Sequence, residues 1–69
     1  MNNFGARIKQ LRTEYGLTQR EVSNGIGITP TSVQRLEYET ANPSLDTLIK
    51  LSLFFNVCLD YLAGLSARK

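Results

Sequence analysis

The chain has 69 residues, of which 42% are hydrophobic and 20% are charged, and its formal net charge is +2. This length fits a single domain, residues 1–69, and no apolar run approaches the roughly 18 residues that a membrane span requires. With one cysteine, Cys58, and no histidine, the usual zinc ligands and acid–base groups are missing, so we expect no metal and no other cofactor.

Charge is distributed unevenly along the chain. The segment up to Arg35 carries five basic residues against two acidic ones, whereas the segment from Leu36 onward carries three basic residues against four acidic ones. This asymmetry favours a nucleic-acid contact in the first half. The N-terminus shows no basic segment followed by an apolar stretch, so we expect no signal peptide and a cytoplasmic protein.

The first predicted helix spans residues 3–15. Apolar side chains recur there at i, i+4, i+7 and i+11, a spacing typical of one buried helix face. These side chains are Phe4, Ile8, Leu11 and Tyr15. Gly16 follows directly, and glycine is the residue type that most often ends a helix.

The second predicted helix, residues 19–25, has two signals of a helix start. Thr18 is placed to cap the helix, and Glu21, three residues later, completes a capping box. Leu17, just before the cap, is placed to pack on Val22. The helix start is therefore well specified by local sequence.

The third predicted helix, residues 30–38, follows a tight turn at Gly27. Thr29 is its N-cap, and a proline occupies the first helical position, where its missing N–H costs nothing. Val33 and Leu36 are expected to face the core, and the polar side chains between them to face outward. Two short capped helices joined by a tight turn are the geometry that places a helix in the DNA major groove, so DNA binding is the leading interpretation.

Two more helices complete the predicted fold. Ser44 is placed to cap a fourth helix with one inward stripe, formed by Leu45, Leu48, Leu51, Ser52 and Phe55. A fifth, short helix around residues 59–63 ends at Gly64, and residues 64–69 are expected to form a frayed tail. No segment alternates polar and apolar residues with period two over a useful length, so the fold class is all-α with five helices.

The order of several short motifs resembles the Cro/C1-type helix-turn-helix repressors over almost the whole chain. The motifs are Leu17-Thr18-Gln19, the turn Gly27, Val33-Gln34-Arg35-Leu36-Glu37, Asn42-Pro43-Ser44-Leu45 and Leu59-Asp60-Tyr61-Leu62. The resemblance implies a compact, lambda-repressor-like five-helix domain that binds double-stranded DNA as a homodimer on a pseudo-palindromic operator. It implies a sequence-specific transcriptional regulator of the repressor type. No ligand pocket or cofactor motif is visible in the sequence, so we expect no small-molecule ligand.

The resemblance also implies roles for individual residues. The side chains expected to contact base edges are Thr31, Ser32, Gln34 and Arg35. Those expected to contact or position the DNA backbone are Thr18, Gln19, Thr29, Thr40, Asn42 and Ser44. Arg12 and Glu37 are expected to form an ion pair between the first and third helices, for which a purely structural role is the alternative. Arg35 is the strongest candidate, because a guanidinium binds guanine O6 and N7 bidentately, although it could also belong to a solvated helix face.

This chain departs from the family pattern directly after the third helix. Relatives often carry Asn-Gly and basic residues there, where this chain has Tyr38-Glu39-Thr40-Ala41. An acidic side chain without a neighbouring Lys or Arg predicts weaker attraction to phosphates. Pro30 also occupies a position where some relatives have a side chain that contacts a base.

The fourth and fifth helices carry apolar residues that the predicted core does not use. Leu53, Phe54, Cys58 and Tyr61 are therefore expected to form a dimer or partner surface, with Cys58 as a small buried thiol beside it. A larger core or a rotated helix is the alternative. A second functional hypothesis is a protein-interaction module, such as an antitoxin or anti-regulator. We expect no enzyme, because the chain has neither a nucleophile–base pair nor a phosphate-binding glycine loop.

Overall fold

The computed structural model describes residues 4–40 and 42–69. These residues form five α-helices, namely α1 (Phe4–Glu14), α2 (Gln19–Ile26), α3 (Pro30–Glu37), α4 (Leu45–Phe55) and α5 (Leu59–Leu62). The predicted all-α class is confirmed, and the bounds agree with the predicted ones to within about two residues. Asn3, the predicted start of the first helix, and Ala41 in the predicted loop lie outside the described residues.

The helix starts of α2 and α3 form as their sequences predict. The Glu21 N–H donates to Thr18 Oγ1 at 3.1 Å, and Glu21 Oε1 accepts from the Thr18 N–H at 2.9 Å, which completes the capping box. Thr29 Oγ1 accepts from the Ser32 N–H at 3.1 Å and caps α3. Between the two helices Gly27 adopts a left-handed conformation with φ 76°, which glycine reaches without the steric cost of a Cβ.

One hydrophobic core joins all five helices. Its buried members are Phe4, Ile8, Leu11, Val22, Ile26, Val33, Leu36, Leu48, Leu51, Phe55, Val57, Tyr61 and Leu62. Leu17 and Ile28, which precede the caps of α2 and α3, pack partly buried against this core. The helix α3 packs on α1 and α2, while α4 packs on α2 and α5. This arrangement leaves one face of α3 outside the core.

The structure corrects two expectations about inward-facing residues. Leu45 was expected in the core, but it is 67% exposed. It occupies the first position of α4, and the buried residues of that helix begin one turn later at Leu48. Tyr15 lies beyond the last residue of α1 and is half exposed. Its hydroxyl nevertheless donates to the Phe55 carbonyl at 2.7 Å, and the two rings pack edge to face at 5.5 Å.

The C-terminal residues lie against the body of the domain. Arg7 Nη1 donates to the Ser66 carbonyl at 2.7 Å, and Lys69 Nζ lies 3.1 Å from Glu14 Oε1. Polar contacts to α1 hold the C-terminal segment in this position, and the pattern of apolar residues in the sequence does not predict such contacts.

The first turn of α1 meets the C-terminal end of α3 at Gly5. A Cβ atom on Gly5 would overlap the Glu37 carbonyl oxygen and would lie 2.8 Å from the Leu36 carbonyl oxygen. The Gly5 N–H donates to Glu39 Oε1 at 3.3 Å, and Glu39 has a left-handed backbone with φ 59°. The absence of a side chain at Gly5 therefore lets α1 and α3 approach closely.

We expect Gly5→Ala to destabilise the domain by about 1–3 kcal/mol, the usual cost of overpacking. The added methyl group meets backbone atoms, which cannot rotate away as a side chain can. Urea unfolding followed by circular dichroism measures the loss. Ala6→Ser, at the exposed neighbouring position, is the control and should change stability by less than about 0.5 kcal/mol. A Gly5→Ala variant as stable as the wild type would contradict this account of the packing.

Candidate nucleic-acid interface

The exposed face of α3 carries the residues expected to contact bases. The buried side of the helix consists of Val33, Leu36 and Glu37. On the outer side the exposed residues are Thr31, Gln34 and Arg35, and Ser32 is half-buried. An α-helix with an exposed polar face matches the shape that the DNA major groove admits.

The polar side chains of α3 differ in whether they form hydrogen bonds within the protein. Thr29 Oγ1 caps the helix and lies 2.8 Å from Ser32 Oγ, so the two hydroxyls also hydrogen-bond to each other. Thr31 and Arg35 are more exposed and project from the helix on its outer side. Among the four residues expected to contact bases, Ser32 is therefore the one whose hydroxyl already has a partner within the protein.

A buried ion pair holds α3 against α1. Arg12 Nε lies 2.6 Å from Glu37 Oε2, and Arg12 Nη2 donates to Glu37 Oε1 at 3.1 Å, which makes the pair bidentate. The Glu37 side chain is only 2% exposed. The hydrogen bond to Glu37 raises the pKa of the Arg12 guanidinium above its usual value. The ion pair expected between these residues is thus present.

Gln19 extends this ion pair to α2. Its Nε2 donates to Glu37 Oε1 at 3.1 Å, and Arg12 Nη1 donates to the Leu17 carbonyl at 3.0 Å, just before α2 begins. A carboxylate that accepts from three donors has its charge compensated and its position fixed. The Arg12–Glu37–Gln19 network therefore sets the position of α3 relative to both α1 and α2.

A groove separates α3 from the start of α4. It has a volume of about 280 Å³ and is lined by Ile28, Ser32, Arg35, Leu36, Asn42, Pro43, Ser44 and Thr47. The groove brings Ser32 and Arg35 of α3 together with Asn42 and Ser44 of the following segment. Thr18 and Gln19, at the start of α2, do not line it.

Thr47 is a groove residue that the sequence analysis missed. Its N–H donates to Ser44 Oγ at 3.1 Å, and its hydroxyl lies 3.0 Å from the same oxygen. The signal was available, since Thr47 stands three residues after the predicted N-cap. Thr40, also expected near the backbone, donates its hydroxyl to the Arg35 carbonyl at 3.3 Å instead of lining the groove.

The positive charge near α3 is smaller than the sequence count suggests. Glu37 neutralises the charge of Arg12, whereas Arg7 keeps its charge but is held by the carbonyls of Tyr61 and Ser66. The remaining three, Lys9, Arg20 and Arg35, are exposed. A partner with phosphates would therefore meet only a moderate positive field.

The expected partner surface is only partly exposed. Tyr61 was expected there and is buried, with the Arg7 guanidinium 4.3 Å from the centre of its ring. Leu53 is 77% exposed, whereas Phe54 is half-buried and packs edge to face on Phe55 at 5.1 Å. Leu53 and Phe54 do line one shallow groove, together with Gly25, Ile26 and Lys50. The placement of Tyr61 on the surface was wrong because α5 is a single turn, too short to show its buried side in the sequence.

Cys58 was expected to be a small buried thiol, and this expectation is wrong. The residue is exposed and occupies the N-cap of α5, outside the groove of Leu53 and Phe54. Its N–H donates to the Lys69 carbonyl at 2.9 Å, and its thiol lies 3.3 Å from the Arg68 carbonyl oxygen. The residue therefore contacts the C-terminal segment and not the core.

The described ranges 4–40 and 42–69 hold no helix with the length and apolar character to cross a membrane. Within the same ranges, no three His, Cys, Asp or Glu side chains are grouped so that they could hold a metal ion.

The arrangement of α2, α3 and their turn defines a helix-turn-helix domain, and comparison with known structures agrees. The fold is similar to the N-terminal DNA binding domain of SinR from Bacillus subtilis, with a TM-score of 0.84, 30% identity and coverage of 91% of this chain and 93% of that one. It is also similar in fold to the P22 c2 repressor in complex with a synthetic operator, with a TM-score of 0.88, 21% identity and coverage of 96% and 100%.

The family model described as helix-turn-helix matches residues 8–62. The chain is 37% identical over 62 residues to the HTH-type transcriptional regulator ImmR of Bacillus subtilis (strain 168), which covers 90% of this chain and 49% of that protein. It is 41% identical over 54 residues to the cryptic phage CTXphi transcriptional repressor RstR of Vibrio cholerae, which covers 78% and 49%. The chain belongs to the Cro/C1-type helix-turn-helix family of DNA-binding transcriptional regulators. It spans about half the length of these two relatives.

We expect Glu37→Gln to lower the free energy of unfolding by about 3 kcal/mol, because it leaves the Arg12 charge without its buried partner. Thermal or urea unfolding measures the change. The matched control is Asp46→Asn, which removes one partner of the exposed Lys50–Asp46 pair at 3.1 Å and should cost less than about 1 kcal/mol. Equal losses in the two variants would contradict a special role for the buried pair.

Proposed function

We propose that the chain acts as the DNA-binding domain of a sequence-specific transcriptional repressor, with α3 in the major groove of a pseudo-palindromic operator bound by a homodimer. The observation that carries this proposal is the exposed polar face of α3 on a helix held in place by the Arg12–Glu37–Gln19 network. Two similar proteins are described as repressors, RstR and P22 c2, and the latter was solved with a synthetic operator.

Base contacts in this proposal come from the outer face of α3. Arg35 is assigned to a guanine, because its guanidinium matches the O6 and N7 acceptors in the major groove. Thr31 and Gln34 are exposed and flank the central part of the helix, so they contact neighbouring base edges. Ser32, half-buried and bonded to Thr29, contacts a base or a bridging water through the remaining capacity of its hydroxyl.

Backbone contacts come from the helix starts on either side of α3. Gln19 is assigned both to bracing Glu37 and to a phosphate, since it opens α2 and helix N-termini favour anions. Ser44 and Asn42 line the groove beside Arg35, so we assign them to phosphates of the DNA strand that Arg35 contacts. Thr18, Thr29 and Thr40 complete the set of residues proposed to position the backbone. Repression follows from occupancy, because an operator that overlaps a promoter is blocked when the protein is bound.

The test of this function is the affinity for a duplex selected by the wild-type protein from a randomised library, measured by fluorescence anisotropy at about 50 and 200 mM salt. We expect Arg35→Ala to weaken binding to the selected duplex by about 10–100-fold, from the 1–3 kcal/mol of one bidentate base contact. Because the lost contact is to a base, the preference of the protein for the selected duplex over a scrambled duplex should also relax.

Arg68→Ala is the charge-matched control for Arg35→Ala, since Arg68 is exposed in the C-terminal segment. It should change affinity less than about twofold, because a distant exposed charge is screened by salt. Equal losses from Arg35→Ala and Arg68→Ala, or equal losses on selected and scrambled duplexes, would contradict base recognition by Arg35.

The dimer in this proposal uses the exposed apolar groove of Leu53 and Phe54. Two copies related by a two-fold axis place their α3 helices about 34–36 Å apart, one turn of DNA. We expect sedimentation velocity to detect two protein chains on a duplex with two half-sites. Leu53→Lys should weaken that complex at least about fivefold while leaving binding to a single half-site unchanged, because it places charges at an apolar contact.

A wild-type protein that is monomeric both alone and on DNA would contradict the dimer. The alternative of a protein-interaction module would be favoured by a stoichiometric partner that co-purifies with the chain, together with negligible DNA binding. The burial of Tyr61 reduces the surface available for such a partner.

A further inference from the structure

Tyr38 is the first residue after α3 and the last residue of its helical turn. Its N–H donates to the Gln34 carbonyl at 3.0 Å, and its backbone, with φ −86° and ψ −2°, remains in the right-handed region. The direction of the Tyr38 side chain is therefore the one that the helical geometry of α3 gives it. It is 66% exposed, so this large aromatic ring is not part of the core.

The helix places Tyr38 on the face assigned to DNA. Residues 31, 35 and 38 are spaced i, i+4 and i+7, and at about 100° per residue they fall within an arc of about 60°. The buried residues Val33 and Leu36 lie on the opposite side. Thr31, Arg35 and Tyr38 thus form a single outward stripe along α3.

The stripe is nearly as long as the DNA major groove is wide. Seven residues of helix separate Thr31 from Tyr38, a rise of about 10 Å. The major groove is about 12 Å wide, so a helix that points its first turn at the bases has its last turn near the groove edge. A side chain at the end of the stripe therefore meets sugar and phosphate in place of bases.

The two residues that follow Tyr38 are turned back onto the protein. Glu39 Oε1 accepts from the Gly5 N–H at 3.3 Å, and the Thr40 hydroxyl donates to the Arg35 carbonyl at 3.3 Å. Among residues 38–40, it is Tyr38 whose side chain continues the outer stripe of α3. None of these three residues is basic, so a contact here must use a neutral group.

We propose that Tyr38 contacts the DNA backbone at the edge of the major groove, with its ring packed on a deoxyribose and its hydroxyl donating to a phosphate oxygen. This inference rests on the proposed position of α3 in the major groove. A neutral phenol releases no counterion, so its contribution to affinity is independent of salt. Tyr38 supplies a contact in a segment that has no positive charge of its own.

The first test compares Tyr38→Ala and Tyr38→Phe with the wild type on the library-selected duplex at about 50 and 200 mM salt. Tyr38→Ala should bind about tenfold more weakly and Tyr38→Phe about threefold more weakly, since Tyr38→Phe loses one solvent-accessible hydrogen bond and Tyr38→Ala loses the ring as well. The slope of log affinity against log salt should equal that of the wild type, because no cation is removed. Leu65→Ala removes another large exposed side chain, in the C-terminal segment, and is the control that should bind as the wild type does.

The second readout is protection of Tyr38 from nitration by tetranitromethane, located by mass spectrometry. Selected duplex should slow nitration of Tyr38 at least about fivefold, because the contact covers its ring. Buried Tyr61 and half-exposed Tyr15, whose hydroxyl bonds to Phe55, serve as internal references and should keep their rates. Wild-type affinity of both Tyr38 variants, or unprotected Tyr38 in the DNA complex, would overturn this inference and leave the proposed function in place. A wild-type protein that selects no duplex would overturn both.

Discussion

The position of α3 depends on one buried carboxylate. Glu37 is 2% exposed, and it accepts hydrogen bonds from Arg12 of α1 and Gln19 of α2. An unpaired carboxylate in such a place would be strongly destabilising, so alternative packings of α3 that break these bonds are disfavoured. Because apolar residues of similar volume often replace a buried ion pair without loss of stability, the network is better explained by the position it gives α3. Its effect is that the outer face of α3 has one orientation relative to the rest of the domain.

The junction of α1 and α3 adds a second constraint on that orientation. Because Gly5 has no side chain, the carbonyl groups at the C-terminal end of α3 lie close to its backbone. The Glu39 carboxylate accepts a hydrogen bond from the Gly5 N–H at the N-terminal end of α1, where the helix dipole favours negative charge. Glu39 does this from a left-handed backbone that costs a non-glycine residue about 1 kcal/mol or more. The acidic side chain, from which weaker attraction to phosphates was predicted, is thus directed at α1. The left-handed residue directly follows Tyr38, the C-cap of α3, whose ring stays on the outer stripe.

Features fixed by neighbouring residues were predictable, and features fixed by distant contacts were not. Capping of α2 and α3 depends on hydroxyl and carboxylate groups within three residues, so Thr18, Glu21 and Thr29 identified both starts. Periodicity located the buried sides of α1 and α3. It wrongly assigned Leu45 to the core, because it does not show which turns of a helix are in contact with other helices. It could not assign Tyr61 or Cys58, since α5 is one turn long and the Arg7 and C-terminal contacts decide their surroundings. The ion pair of Arg12 and Glu37 came from the family resemblance, because no local pattern joins residues 25 positions apart.

The central claim is that α3 reaches the floor of the major groove, and protection of guanine N7 from dimethyl sulfate tests it most directly. The N7 atom lies in the major groove, where Arg35 is assigned to bind it. On the selected duplex we expect two protected guanine positions about one helical turn apart, related by the two-fold symmetry of the site. Binding that leaves every guanine N7 as reactive as in free DNA would contradict the account, because it would mean that the protein holds the duplex without placing α3 in its major groove.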